Sequence, residues 1–390
     1  MAQLTANRFL RIFVHFLFFL SGIVTVLIGQ ILPIMARHFS LDDLQVSYFF
    51  PAQFAGSLAG TYITSRFARQ SNFLSATILG GCLMAGGILL MNIDVFSVCL
   101  VGFLINGVGI GMTLPSINML VLEMNRDRSA SALSILNFCW GLGAIACKPF
   151  VDLWSSADSI GLTTFILAAP LLLFTFLLFL TAGESKPKMA KASTDDETVA
   201  TAIWTMPVAW MIALFNFIHV GFESGIGGWL TTYAGRLDGQ PLANWVSPTL
   251  LYFLFFVIGR GFAPALFRFL NENKMLMIGL TIVLVGMIFT LSAGTVTVLS
   301  LGASIAGFGT SWIFPTNVAR FSKTFGETAA RRATPLFICG TLGAASSTWL
   351  IGFISNKTGS LHSGMFILIL CILLLIFLQI VLARETKVPR

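Results

Sequence analysis

The chain has 390 residues, of which 56% are hydrophobic and only 10% charged, with a mean hydropathy of +0.88. A soluble domain is typically about 25% charged, so this composition excludes an ordinary water-solvated enzyme. It fits a helical protein whose solvent is hydrocarbon. The net charge of +7 does not indicate nucleic acid, because basic residues collect on the cytoplasmic side of membrane proteins.

Apolar runs long enough for membrane spans follow one another with short polar breaks. The first, 12–35, has no small-residue cleavage site after it and reads as a retained span carrying Gln30 and Pro33. Arg11 and His15 near its start read as snorkelling side chains. Next come 46–65, followed by Arg66 and Arg69, and then 73–92. Run 96–122 carries Asn106, Thr113 and Asn118; run 131–151 carries Asn137, Trp140 and Lys148; run 160–182 closes the first half. The polar stretch Gly183–Thr201 is rich in Lys, Asp and Ser and reads as a flexible linker. The second half continues with 203–233, carrying Asn216, His219 and Glu223, and 247–267, carrying Arg260 and followed by Arg268. Runs 275–293, 296–319 (with Trp312, Thr316 and Asn317), 333–355 and 361–383 complete the series. The expected architecture is an all-α membrane protein of twelve transmembrane helices in two six-helix bundles. Their bounds are 1–182 and 203–390, joined by a cytoplasmic linker at 183–202.

Charge sets the expected orientation. With both termini inside, eighteen of the 23 Lys and Arg residues fall in cytoplasmic segments, Arg320 among them. Arg37, Arg236 and Lys357 fall outside, and Lys148 and Arg260 lie within apolar runs. This asymmetry predicts an N-in, C-in topology.

The halves also repeat. At an offset of 200, Pro115 falls on Pro315 and Gly86 on Gly286, and Gly141-Leu-Gly143 falls on Gly340-Thr-Leu-Gly343 within one residue. Six spans per half keep the two halves in the same orientation, so the repeat is parallel, about an axis along the membrane normal.

Ionisable groups at membrane depth are costly and line a pathway or pair with a partner. Glu223 is the sharpest case. It shares a helix face with His219 four residues earlier and Asn216 beyond it, and glycines follow it. It suits proton or ion coupling, or a hydrogen bond to a hydroxylated solute. The alternative is a carboxylate tied to His219 or an arginine that holds helices together. Arg260 reads as an ion pair near the inner end of its helix, and Lys148–Asp152 as a structural i, i+4 pair. Gln30, Asn118, Asn137, Trp140, Trp312 and Asn317 offer amides beside flat aromatic faces, the combination that sugar recognition needs. The same groups also serve helix–helix hydrogen bonding.

Enzymatic constellations are missing: no P-loop, no His/Cys cluster with metal spacing, and no cofactor motif. Gly107-Val-Gly109-Ile-Gly111 lies inside a span and reads as helix packing. The six cysteines are scattered without a CxxC and read as small buried residues.

Several segments resemble the fucose–galactose–glucose:proton symporter branch of the major facilitator superfamily. They are Phe255-Phe-Val-Ile-Gly259-Arg260 with Arg268 after it, Ile313-Phe-Pro315-Thr316, Gly340-Thr-Leu-Gly343, and Val220-Gly221-Phe-Glu223-Ser-Gly225-Ile-Gly-Gly228-Trp229. The resemblance implies the major facilitator fold and a secondary active transporter moving a small neutral solute, a monosaccharide first, by alternating access. It places Asn137 where a span 5 amide contacts sugar, and it implies coupling to protons or sodium across the inner membrane. Arg66, Arg69 and Arg268 would help close the inner face. A fucose permease of that branch carries an aspartate in span 1 and a glutamate in span 4; here those places read Gly29/Gln30 and Thr113/Leu114. The loop after span 2, Ser65-Arg66-Phe-Ala-Arg69-Gln70, lacks the superfamily's aspartate. These departures keep a facilitative uniporter, an efflux carrier and a non-transporting membrane sensor open as alternatives. No nucleic acid partner or resident cofactor is expected.

Overall fold

A computed structural model describes residues 2–69, 72–124, 129–182, 203–237, 247–267, 269–325 and 333–385. The expected linker at 183–202 and residue Arg268 lie outside the described residues. Among the described residues the chain is helical, with no strand. It divides into two compact units, residues 1–192 and 193–390.

The first unit contains α1 (Ala2–His38), α2 (Asp43–Ser47), α3 (Phe49–Arg69), α4 (Phe73–Leu90), α5 (Phe96–Met124), α6 (Ser129–Trp154) and α7 (Gly161–Ala182). The short α2 leads directly into α3 and is started by a capping box. There the Asp42 carboxylate accepts from Gln45 N at 2.8 Å, and the Gln45 side chain accepts from Asp42 N at 3.0 Å. Five pairings build the unit: α4 with α5, α3 with α5, α1 with α6, and α7 with both α4 and α1. At one end, Arg37 donates to the Ala157 carbonyl at 3.0 and 2.6 Å and lies 3.6 Å from Asp158. His38 beside it bridges Asp94 and the Asp158 carbonyl, so the end of α1 holds both neighbouring connections. The Lys148–Asp152 pair forms on α6.

The second unit contains α8 (Pro207–Ala234), α9 (Pro248–Leu266), α10 (Glu272–Leu291), α11 (Val296–Thr310), α12 (Ile313–Phe325), α13 (Thr334–Thr358) and α14 (Leu361–Glu385). Sequence-encoded starts are visible here. Pro248 sits at the first helical position of α9 behind Ser247, whose hydroxyl accepts from Leu250 N at 3.1 Å. Asn271 caps α10 through Lys274 N at 2.9 Å. Gly359, at φ +69°, ends α13 in the left-handed region where a side chain would be strained. The pairings are α10 with α11, α9 with α11, α8 with α13, and α14 with both α10 and α8. These match the first unit's five, helix for helix; α13 also packs along α14, a pairing that is only slight between α6 and α7.

Among the described residues the fourteen helices fall into twelve helical segments, because α2 runs into α3 and α11 into α12. Nine stretches among the described residues are long and apolar enough to cross a bilayer by length and hydropathy alone. Bulky residues such as Phe165, Phe179, Phe377 and Leu370 point outward from the helices, as expected where the solvent is hydrocarbon. The expected single helix at 296–319 is instead broken at Ser311–Trp312.

The repeat is sharper in the packing than in the sequence. A Cβ on Gly143 would lie 2.0 Å from the Phe19 carbonyl oxygen, and one on Gly343 would lie 1.9 Å from that of Phe217. One on Gly107 would lie 2.0 Å from Gln53 O, and one on Gly307 2.2 Å from Tyr252 O. Gly109 and Gly309 meet the Gly80 and Gly279 carbonyls in the same way. Each pair is separated by two hundred positions within two. Only glycine lets the backbones approach this closely. The match shifts by one in span 3: Gly86 has nothing within 4 Å, and Gly87 makes the contact that Gly286 makes in the second unit.

Candidate functional site

In the first unit the expected residues are spread over three helices. Gln30 is buried in α1. Asn118 is half-buried in α5 and donates to the Leu114 carbonyl of its own helix at 2.7 Å. Asn137 is exposed on α6, and Trp140 is half-buried one turn further on, its carbonyl pressed against Gly22 of α1. Asn106 ties α5 to α4 by donating to Met84 O at 3.2 Å. Arg66 is exposed on α3, lying over the Tyr62 ring at 5.4 Å. The Arg69 side chain lies outside the described residues.

The second unit brings its polar groups together. Near the middle of α8, Asn216, His219 and Glu223 form one stripe, as the spacing predicts. Asn216 and His219 are fully buried, and Glu223 is partly so. Nε2 of His219 lies 3.5 Å from Oε2 of Glu223. Arg260 and the fully buried Tyr252, both on α9, lie within electrostatic range of the Glu223 carboxylate. The Arg260 guanidinium stacks on Phe256 at 4.2 Å, and its Nε donates to the Ser311 carbonyl at 3.3 Å. Arg260 is thus held at the helix break between α11 and α12 rather than at the end of α9.

Several buried polar atoms here have no hydrogen-bond partner among the described residues: Nδ1 of His219, Asn216 Oδ1 and Ser347 Oγ of α13. Buried polar groups are nearly always satisfied, so a group of orphans needs a reason. A hydrated or solute-occupied site supplies one. Tyr252 was not singled out by sequence; it is one of four tyrosines and sits in an otherwise apolar run.

Trp312 and Asn317 lie elsewhere in the unit, with their polar atoms engaged. The Trp312 indole donates to Met275 O of α10 at 3.0 Å. The Asn317 amide donates to Ile212 O of α8 at 3.2 Å and accepts from Arg320. Trp312→Phe would lose that one buried hydrogen bond and is expected to lower stability by about 1 kcal/mol, read as a modest fall in the melting temperature of the solubilised protein.

Arg320 corrects the charge count. It is not a loop cation but is buried in α12, only 3% exposed. It donates to Gln379 Oε1 of α14 at 2.7 Å and to Asn317, and it lies over Phe215 of α8 at 4.9 Å. Gln379 continues to Asn273 of α10 at 3.1 Å, so one guanidinium ties four helices. Run length alone cannot tell which way a cation near a helix end points. Arg320→Ala would orphan two buried amide oxygens at about 1–3 kcal/mol each. It is expected to lower the melting temperature more than Trp312→Phe does; an unchanged melting curve would remove the network from the fold's support.

The model of the Major Facilitator Superfamily matches residues 14–336. A TsgA homolog of Erwinia tasmaniensis is 25% identical over 88% of this chain and 87% of its own length. The glucose/mannose transporter GlcP of Bacillus subtilis is 25% identical over 96% of this chain and 95% of its own. Among solved structures, the E. coli fucose:proton symporter FucP superposes with a TM-score of 0.66 at 18% identity, covering 95% of this chain and 98% of that one. The matched stretch runs through both units and is far more than half of the chain; this protein, a multi-pass membrane protein, belongs to the Major Facilitator Superfamily of transporters.

Proposed function

We propose that this transporter carries a monosaccharide across the inner membrane of a bacterial cell by alternating access, driven by proton symport. The observation that carries the reading is the α8 stripe, where Glu223 lies 3.5 Å from His219 in line with Asn216, amid buried polar atoms without a hydrogen-bond partner among the described residues. Hydroxyl-rich solutes supply both donors and acceptors for such groups. The relationship to a glucose/mannose transporter over nearly the whole chain supports sugar as the class. The charge asymmetry of the loops supports N-in, C-in topology.

In this reading Glu223 is the proton-coupling carboxylate and His219 its partner. Gln30, Asn118, Asn137 and Trp140 are the first unit's solute-facing candidates. Trp312 and Asn317, whose polar atoms are engaged in helix ties, act by holding α12 against α10 and α8. Arg66, Arg69 and Arg268 serve the inner gate. The missing carboxylates at Gly29/Gln30 and Thr113/Leu114 favour one second reading, facilitated diffusion without a coupling ion.

Purified protein in liposomes decides between them. Labelled D-glucose, D-mannose and L-fucose are offered with an acid-outside gradient. Accumulation above equilibrium that a protonophore abolishes is the expected result. Flux that equilibrates and never concentrates would establish the uniporter. No flux for any of the sugars would overturn the substrate class.

A further inference from the structure

Where the end of α1 meets the α4–α5 connection and the start of α7, the first unit holds a cavity of about 420 Å³. Ile34, Met35 and Met91 give it apolar walls, and Asn92, Asp94 and Asp158 bring polar groups to it. Thr164 donates its hydroxyl proton to the Gly161 carbonyl at 2.7 Å, so its oxygen accepts from Asn92 Nδ2. The buried Asn92 Oδ1 is left without a partner among the described residues. A Cβ on Gly161, which also lines the cavity, would lie 3.8 Å from that oxygen, so Oδ1 faces the cavity. Asp94 and Asp158 beside it are exposed carboxylates. Asp94 holds His38 through one oxygen, and Asp158 lies 3.6 Å from Arg37. Each keeps room for further donors, since an ionised carboxylate only accepts, at about four lone-pair positions. Phe165 lines the cavity too, and it belongs to an outward apolar ridge of α7 with Leu162, Phe176 and Phe179. Such a ridge meets hydrocarbon, so the cavity opens beside acyl chains at the end of a span, where headgroups lie. None of this chemistry recurs in the second unit. Two hundred positions on, Asn92, Asp94 and Asp158 become Ser292, Gly294 and Thr358. Pro33 and Leu162 become Tyr233 and His362, whose side chains hydrogen-bond at 2.8 Å and stack ring on ring. The cavity is a property of one unit rather than of the repeat.

We propose that this cavity binds the primary-ammonium headgroup of a phospholipid, phosphatidylethanolamine, drawn from the surrounding bilayer. A primary ammonium has three N–H donors and no acceptor. It serves Asp94, Asp158 and Asn92 Oδ1 together. The phosphate then lies toward Arg37 at the rim, and the acyl chains follow the Phe165 ridge. A trimethylammonium headgroup carries the same charge but no donor, so it leaves the buried Oδ1 unsatisfied.

Native mass spectrometry of the full-length, delipidated protein in detergent measures apparent Kd values for dioleoyl phosphatidylethanolamine, its N-methyl and N,N-dimethyl forms, and phosphatidylcholine. Affinity is expected to fall with each methyl group and by at least about tenfold across the series, as hydrogen bonds to charged groups are lost. Asp94→Asn/Asp158→Asn is expected to weaken phosphatidylethanolamine and flatten the series. Gly161→Leu, which fills the cavity without touching a charge, should do the same, and it serves if the double substitution does not fold. Glycerophosphoethanolamine, the headgroup without its chains, should bind at least about tenfold more weakly than the lipid, because it buries no acyl surface on the ridge. Binding as tight as the lipid's would make this a site for a soluble amine and overturn the lipid. Equal affinity for phosphatidylethanolamine and phosphatidylcholine, or a methylation series that persists in the folded variants, overturns the proposal.

Discussion

Glu223→Gln is expected to abolish accumulation of sugar while sparing its exchange. The substitution keeps the shape of the side chain beside His219, 3.5 Å away in the wild type, and replaces the carboxylate with an amide that cannot carry the proton. A cotransported proton moving through 100 mV supplies about 2.3 kcal/mol, which converts to roughly fifty-fold accumulation at about 1.4 kcal/mol per decade. Without the proton, the ratio of internal to external solute should fall to about one, and counterflow between sugar-loaded liposomes should persist. If the variant still concentrates sugar against its gradient, Glu223 is not the coupling group.

The second large effect is on folding. Gly343→Leu is expected to prevent recovery of monodisperse protein, and Gly343→Ala to destabilise it by about 1–3 kcal/mol or more. A Cβ at position 343 would lie 1.9 Å from the Phe217 oxygen and 2.7 Å from its carbonyl carbon, so two backbones would have to part. On the other side of the same seam, a Cβ added to Gly221 would lie 2.9 Å from the Gly343 carbonyl oxygen. The seam is also held by side chains: Asn216 donates to Leu336 O and Trp229 to Thr348 O, both at 2.9 Å. Separating α8 from α13 would therefore strain the stripe that carries Glu223. The control is Gly86→Ala, where nothing lies within 4 Å; removing a helical glycine there should be neutral or stabilising by about 0.5–1 kcal/mol. Equal melting temperatures for Gly343→Ala and Gly86→Ala would refute the seam's importance.

Much of the fold was legible because hydrocarbon imposes a length rule: each span announces itself as an apolar run. The i, i+4 relation of His219 and Glu223 was legible for the same kind of reason, since a helix fixes which side chains share a face. The hydrogen bond from Arg260 to the Ser311 carbonyl joins α9 to the α11–α12 break, and nothing in local spacing encodes a contact between helices. The break at Ser311 was hidden because Pro115, in the same place in the repeat, leaves α5 continuous. Arg320 was misplaced because a cation near the end of an apolar run can turn inward to amides or outward to water, and only its partners Asn317 and Gln379 decide.

The seams at Gly107, Gly143, Gly307 and Gly343 are made of main-chain atoms on both sides. Main-chain atoms are the same whatever the side chains beside them become. Selection on these contacts therefore constrains a handful of glycines and leaves almost every other position free to drift. Two halves of common ancestry can in this way diverge until a residue-by-residue alignment treats them as strangers, with their kinship still recorded where one backbone rests on another.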